Sequence, residues 1–141
     1  NPNSFPFKDK LYYEKRFLKH PCYNYVLVYL ENLKLLFIGR VLNYLGFKVF
    51  RIVDVIGDMN EVKFKDSLLQ FMSDNGIDLI EMNMFDNKFP KIDMFVKNEG
   101  EIIPLYTNPF VNDNIDIKLG YKCKNNHVRF FLGDSDQDRP N

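Results

Sequence analysis

Residues Gly46–Phe85, GFKVFRIVDVIGDMNEVKFKDSLLQFMSDNGIDLIEMNMF, read as strand, short loop, helix, strand. The first part, Phe47 to Ile56, is β-branched and aromatic, as strands are. Gly57 ends that run. Asp58 is the predicted N-cap of a helix, with Glu61 three residues later completing a capping box. From Glu61 to Asn75, the apolar residues Phe64, Leu68, Phe71 and Met72 recur at helical spacing. Gly76 supplies the left-handed residue that closes a helix. Ile77 to Phe85 is apolar again and predicts the next strand. Such a βαβ unit returns parallel, and its crossover is right-handed in nearly all cases.

Before this unit, Lys8 to Lys19 predicts a helix with Leu11 and Tyr12 on one side and Lys15 and Leu18 following at helical spacing. His20-Pro21 stops it, because the residue before proline is pushed out of the α region. Cys22 to Leu30 reads as a strand, with Tyr23, Tyr25, Leu27 and Tyr29 on one face and Val26 and Val28 on the other. That tyrosine row is a packed sheet face or a platform for stacking sugars. After a turn at Glu31-Asn32, Leu33 to Leu42 is a second strand, in which Gly39 marks a bulge or a close backbone approach. Asn43 to Gly46 turns the chain into the central unit, giving an antiparallel meander of three strands.

After Phe85, the sequence predicts a loop (Asp86 to Lys91) and a hairpin of Ile92–Val96 and Glu101–Leu105 around Asn98-Glu99-Gly100. Strands at Ile115–Tyr121 and His127–Leu132 follow, then a polar loop from Gly133. The expected fold class is α+β: one mixed central sheet with a meander, one βαβ unit and flanking helices. The 141 residues amount to one domain, expected to be a piece of a longer chain.

With 45% hydrophobic residues the chain can bury a core, and its 19 basic and 19 acidic residues cancel. A balanced charge provides no net field to steer nucleic acid or an anionic membrane surface, so neither is an expected partner. No apolar run approaches the ~20 residues of a membrane span. Cys22 and Cys123 stand far apart, without the spacing of a zinc site, and read as thiols in a reducing, cytoplasmic setting, the alternative being a disulfide between them. No metal is expected.

The element order and the run Phe50-Arg51-Ile52-Val53-Asp54-Val55-Ile56-Gly57 resemble the GNAT acyltransferase fold over most of residues 8 to 105. The segment Phe130–Asn141, FFLGDSDQDRPN, resembles the DxDQDRPN ending of GNAT-like proteins encoded with bacterial surface-polysaccharide genes, and Tyr106–Phe110 fits such a protein. The resemblance implies acyl transfer to an amino sugar, with acetyl-CoA or another acyl-CoA as cofactor and a sugar or nucleotide sugar as substrate. In that family the loop after the central strand holds the cofactor pyrophosphate on backbone N–H groups at a helix N-terminus, where free donors and the helix dipole favour anions. The matching stretch is Gly57 to Lys63, so Gly57, Asp58 and Lys63 are the cofactor candidates. Its single glycine and its two acids, Asp58 and Glu61, suit a self-capped helix better than a pyrophosphate. This opens a second reading: a GNAT-derived binding or interaction module that has lost acyl-CoA binding.

The remaining candidates follow from residue type and position. Arg51 and Asp54, three apart on a regular strand, point to opposite faces; each is a substrate-binding charge or half of an interstrand ion pair. Asp134, Asp136 and Asp138 alternate beside Gln137 and Arg139. This cluster is a loop tied by Asx-type turns and an Asp–Arg pair, a sugar or nucleotide site with Arg139 as an anion clamp, or a divalent-cation site. Glu81, in the apolar run Ile80–Met84, is the candidate catalytic base, or else a solvent-facing residue at the sheet edge. His20 reads as a helix terminator and His127 as a turn or strand-edge residue, and neither sits in a triad spacing.

Overall fold

The computed structural model describes residues 6–59, 64–87, 120–124 and 127–134. The chain is a mixed α+β fold on a four-stranded mixed sheet. Strands β1 (Val26–Leu30), β2 (Leu35–Tyr44) and β3 (Phe47–Ile56) form the antiparallel meander. Helix α2 (Phe64–Asn75) then crosses over, and β4 (Leu79–Met82) returns parallel to β3 in the register Val49↔Leu79 to Ile52↔Met82. The hairpin between β2 and β3 closes on Leu45-Gly46, where both residues have positive φ, as a two-residue turn matched to strand twist requires. Gly76, at φ 59°, ends α2, and Ile77 N–H donates back to the Met72 carbonyl at 2.9 Å. Residues 60–63, which include the Glu61 half of the expected capping box, lie outside the described residues.

The sequence expectation placed Arg51 and Asp54 on opposite faces, and the register corrects it. Gly39 pairs with Ile52 while Ile38 pairs with Asp54, so Val53 is an extra residue and β3 carries a bulge. Before the bulge, Phe50 and Ile52 pack with Phe37 and Leu68 on the α2 face. After it, Val53 joins Phe17 and Ile38 on the other face, and Val55 returns to the α2 side. Asp54 therefore shares a face with Arg51. The bulge also accounts for Gly39, where a Cβ would lie 2.5 Å from the Phe50 ring and 2.7 Å from the Arg51 carbonyl oxygen.

Helix α1 (Lys10–Tyr13) covers the second face and runs straight into a π-helical turn, Glu14–Leu18. Asp9 caps it, its Oδ1 accepting the Tyr12 N–H at 2.7 Å. Of the expected stripe of Leu11, Tyr12, Lys15 and Leu18, Tyr12 packs against the core, but Leu11 and Leu18 do not. Both are exposed, and Phe17 is the residue that packs inward, with Tyr12 and Tyr13 beside it. The wider π turn, closed by Lys19 N–H on the Glu14 carbonyl, rotates the helix away from a 3.6-residue stripe.

β1 starts at Val26 rather than Cys22, because His20 Nδ1 accepts the N–H groups of Cys22 and Tyr23 and holds that segment as a turn. The tyrosine row is only partly packed. Tyr25 lies edge-on to Phe17 and Tyr23 stacks near Arg40, whereas Tyr29 is exposed. The predicted strand Ile77–Phe85 splits at Asn83: β4 follows β3 as far as Met82, and β5 (Met84–Asp86) leaves it to pair antiparallel with β6 (Arg129–Phe131). A 3₁₀ turn, Leu132–Asp134, then lies against β3, with Leu132 N–H donating to the Asn83 carbonyl. The predicted hairpin at residues 92–105, the Tyr106–Phe110 stretch and most of the predicted strand at 115–121 lie outside the described residues. No helix among the described residues is long and apolar enough to cross a membrane.

Candidate functional site

The bulge turns Asp54 onto the face that α1 covers, where its side chain is almost wholly buried. Its Oδ1 accepts the Val55 N–H at 2.8 Å and its Oδ2 accepts Lys8 Nζ at 2.8 Å. Lys8 stands next to the α1 cap, Asp9. Capping fixes the chain direction there and sends the lysine inward, where Asp134 also accepts its Nζ at 2.8 Å. Asp134 is held in turn by the Phe131 N–H at 2.8 Å and the Tyr12 hydroxyl at 3.1 Å. Arg16 Nε donates to the adjacent Gly133 carbonyl at 2.9 Å. Gly133 has no room for a side chain: a Cβ would lie 2.7 Å from the Val53 carbonyl oxygen and 2.9 Å from the Phe17 ring. Three segments distant in sequence are thus joined through one ammonium.

Burial pushes the Asp54 carboxyl up to about 6; the Lys8 charge opposes the rise and Asp134 adds to it. Burial, and then the nearby Asp134 and Asp54 carboxylates, push the Tyr12 phenol well above its ordinary range. Tyr13 rises for the same causes, burial first and Asp54 next. Both phenols stay neutral, and the Tyr12 hydroxyl donates to Asp134.

A second polar cluster lies across β5 and β6. The buried Asp86 carboxylate accepts Arg129 Nε at 2.5 Å and sits 3.0 Å from His127 Nε2. Next to it, Asn87 and Val128 exchange two hydrogen bonds, at 3.0 and 3.2 Å. Arg129 faces Lys8 and Asp54 across a small cavity of about 30 Å³, lined also by Pro6, Tyr13, Val55, Gly57 and Phe131. A cavity of that size holds about two waters. It lies at the carboxyl end of β3, the end of a parallel strand pair at which ligands bind in open sheets.

Of the sequence candidates, the structure brings Asp54 and Gly57 to the lining of this cavity, and Asp134 to the Lys8 ammonium beside Asp54. Gly57 has φ 123°, and a Cβ there would strike Leu35 and the Lys34 carbonyl. Asp58 is exposed and does not line the cavity. Arg51 and Glu81 do not line it either. They are cross-strand partners on β3 and β4 and form an ion pair with each other, so a guanidinium engages the carboxylate expected as a base. Lys63, Asp136, Asp138 and Arg139 lie outside the described residues. Lys8, Tyr12, Asp86 and Arg129 were not singled out by sequence reasoning. The only signal for Lys8 is its place beside a capping Asp. Asp86 and Arg129 are 43 residues apart and carry no local signal at all. Cys22 and Cys123 form no disulfide. Among the described residues, no group of three or more His, Cys, Asp or Glu could hold a metal ion. No protein-family model, no curated protein and no solved structure matches this chain.

Proposed function

We propose that this chain is a cytoplasmic GNAT-derived domain of bacterial surface-polysaccharide biosynthesis that works as a binding module and has lost acyl-CoA binding. The setting rests on the GDSDQDRPN ending at residues 133–141, and the ancestry on the meander followed by strand, helix and parallel strand. Its ligand is a sugar or nucleotide sugar, taken by Asp136, Asp138 and Arg139 after the buried Asp134. The observation that carries the loss of cofactor binding is the 3₁₀ turn Leu132–Asp134. In the GNAT arrangement the cofactor cleft opens where the central strand and the returning strand splay apart. Here β4 parts from β3 after Met82, and Gly133 packs directly on the Val53 carbonyl at that place. The cavity that remains, about 30 Å³, suits water and not a pantetheine arm.

The second reading keeps acyl transfer to an amino sugar. It is favoured by Gly57, which opens the loop after β3 at the edge of the cavity. It requires the Leu132–Asp134 turn to move aside. Calorimetric titration of acetyl-CoA and of CoA into the folded domain, with an Asp58→Gly variant alongside, separates the two. The binding module gives no heat of binding with either ligand. Micromolar affinity, about −8 kcal/mol, overturns it in favour of the enzyme.

A further inference from the structure

Lys8 reaches Asp54 and Asp134 from a segment without regular structure. Residues 6–8 precede the Asp9 cap of α1, and Phe7 among them is 66% exposed, so apolar burial does little to hold the segment down. The ammonium does much more. It lies 2.8 Å from each of two carboxylates, 5.3 Å from the Phe131 ring centroid and 5.7 Å from that of Tyr12. Charge-assisted acceptors combined with aromatic faces are the chemistry of an ammonium receptor. All four groups belong to the body of the fold: Tyr12 to α1, Asp54 to β3, Phe131 to β6 and Asp134 to the turn after it. The nearby cations are engaged elsewhere, since Arg16 donates to the Gly133 carbonyl and Arg129 pairs with Asp86. The cavity, which Lys8 itself lines, adjoins the cage.

We propose that Lys8 is an intramolecular plug, and that the cage of Asp54, Asp134, Tyr12 and Phe131 receives the primary ammonium of a small ligand when residues 6–8 swing away, with the Asp9 cap of α1 as the pivot. This goes beyond the binding-module reading and stands on the cage alone, so a failed acetyl-CoA titration neither supports nor damages it.

The test uses the full chain, with Lys8→Ala and Lys8→Met variants, and methylammonium chloride as the probe. Sodium chloride and tetramethylammonium chloride, neither of which brings an N–H donor, are matched controls. Loss of the plug lowers the thermal midpoint by about 10 °C. Methylammonium then restores at least half of that loss in a saturable way, the controls do not, and the wild type does not respond. In wild-type protein, the Lys8 amide exchanges with solvent independently of urea, through local opening, while those of β3 follow global unfolding. The proposal is overturned if methylammonium matches the controls in a folded variant, or if it shifts wild type and variant alike. Exchange of Lys8 only through global unfolding also overturns it. Variants that fold only in methylammonium support it; variants that fold in neither condition overturn it, because a segment the fold cannot lose is not a plug.

Discussion

Arg51 and Asp54 lie on the same face of β3, three residues apart, because Val53 is inserted between them opposite Gly39. Arg51 reaches sideways to Glu81 on β4, and Asp54 reaches up to Lys8 in front of α1. In a regular strand one of the two charges would point into the apolar layer under α2, among Phe37, Phe50 and Leu68. The bulge keeps that layer free of charge and gathers the polar groups on the other side.

The bulge depends on Gly39. Gly39→Ala places a methyl group 2.5 Å from the Phe50 ring and 2.7 Å from a backbone oxygen, and the backbone cannot yield cheaply. The expected loss is about 1–3 kcal/mol. Urea unfolding should show a lower midpoint at unchanged slope. Gly120→Ala, which meets nothing within 4 Å among the described residues, is the control and should be near neutral. Equal effects for the two substitutions would remove the close approach as the reason for glycine at position 39.

The Arg51–Glu81 pair is mostly buried, with side chains 7% and 15% exposed. Removing either partner leaves the other charge poorly solvated, so Arg51→Met and Glu81→Met should each cost about 3 kcal/mol. The double variant should recover most of that loss, because a matched apolar pair replaces a matched ionic one. A double-mutant cycle measures this directly. Losses that simply add would mean that the two side chains do not act as a pair.

Asp86 has an entirely buried side chain and holds two partners, Arg129 and His127. Asp86→Ala leaves Arg129, only 10% exposed, without this carboxylate, and is expected to cost about 3 kcal/mol or more. His127→Ala leaves Asp86 and Arg129 matched and should cost distinctly less. If chemical denaturation ranks the two variants the other way, His127 rather than Arg129 is the partner that holds the carboxylate.

What the sequence made legible was local. The β-branched run of β3, the period of α2 and the glycine after it are each set by neighbouring residues, and the parallel return of β4 follows from them. The bulge was legible in part: Gly39 marked a bulge or a close approach, without saying that the extra residue sits on the partner strand at Val53. Phe17 was missed because a π turn breaks the very period used to find buried helix faces. The site was legible in halves. Asp54 and Asp134 drew attention as charges in unusual places, but the ammonium that joins them stands 46 residues from one and 126 from the other. Asp86 and Arg129 met only because β5 parts from the line of β4.

Asp54 also sets a pH dependence whose sign can be worked out. Its carboxyl goes from an ordinary 3.8 in the unfolded chain to about 6 in the fold, with burial as the main cause. The folded state therefore holds this proton more tightly. The stability it contributes is fully present below about pH 4 and is lost as the pH rises through about 6. Asp54→Asn keeps an oxygen for the Val55 N–H, leaves Lys8 its contact with Asp134, and removes the titration. Urea unfolding of wild type and variant between about pH 4 and about pH 7 should show the wild type losing about 3 kcal/mol relative to the variant. Taking the difference cancels the other carboxylates, which titrate in both proteins. A wild type that instead gains on the variant as pH rises would mean that the attraction of Lys8 outweighs the burial of the charge. The Lys8–Asp54 contact would then be a net source of stability at neutral pH.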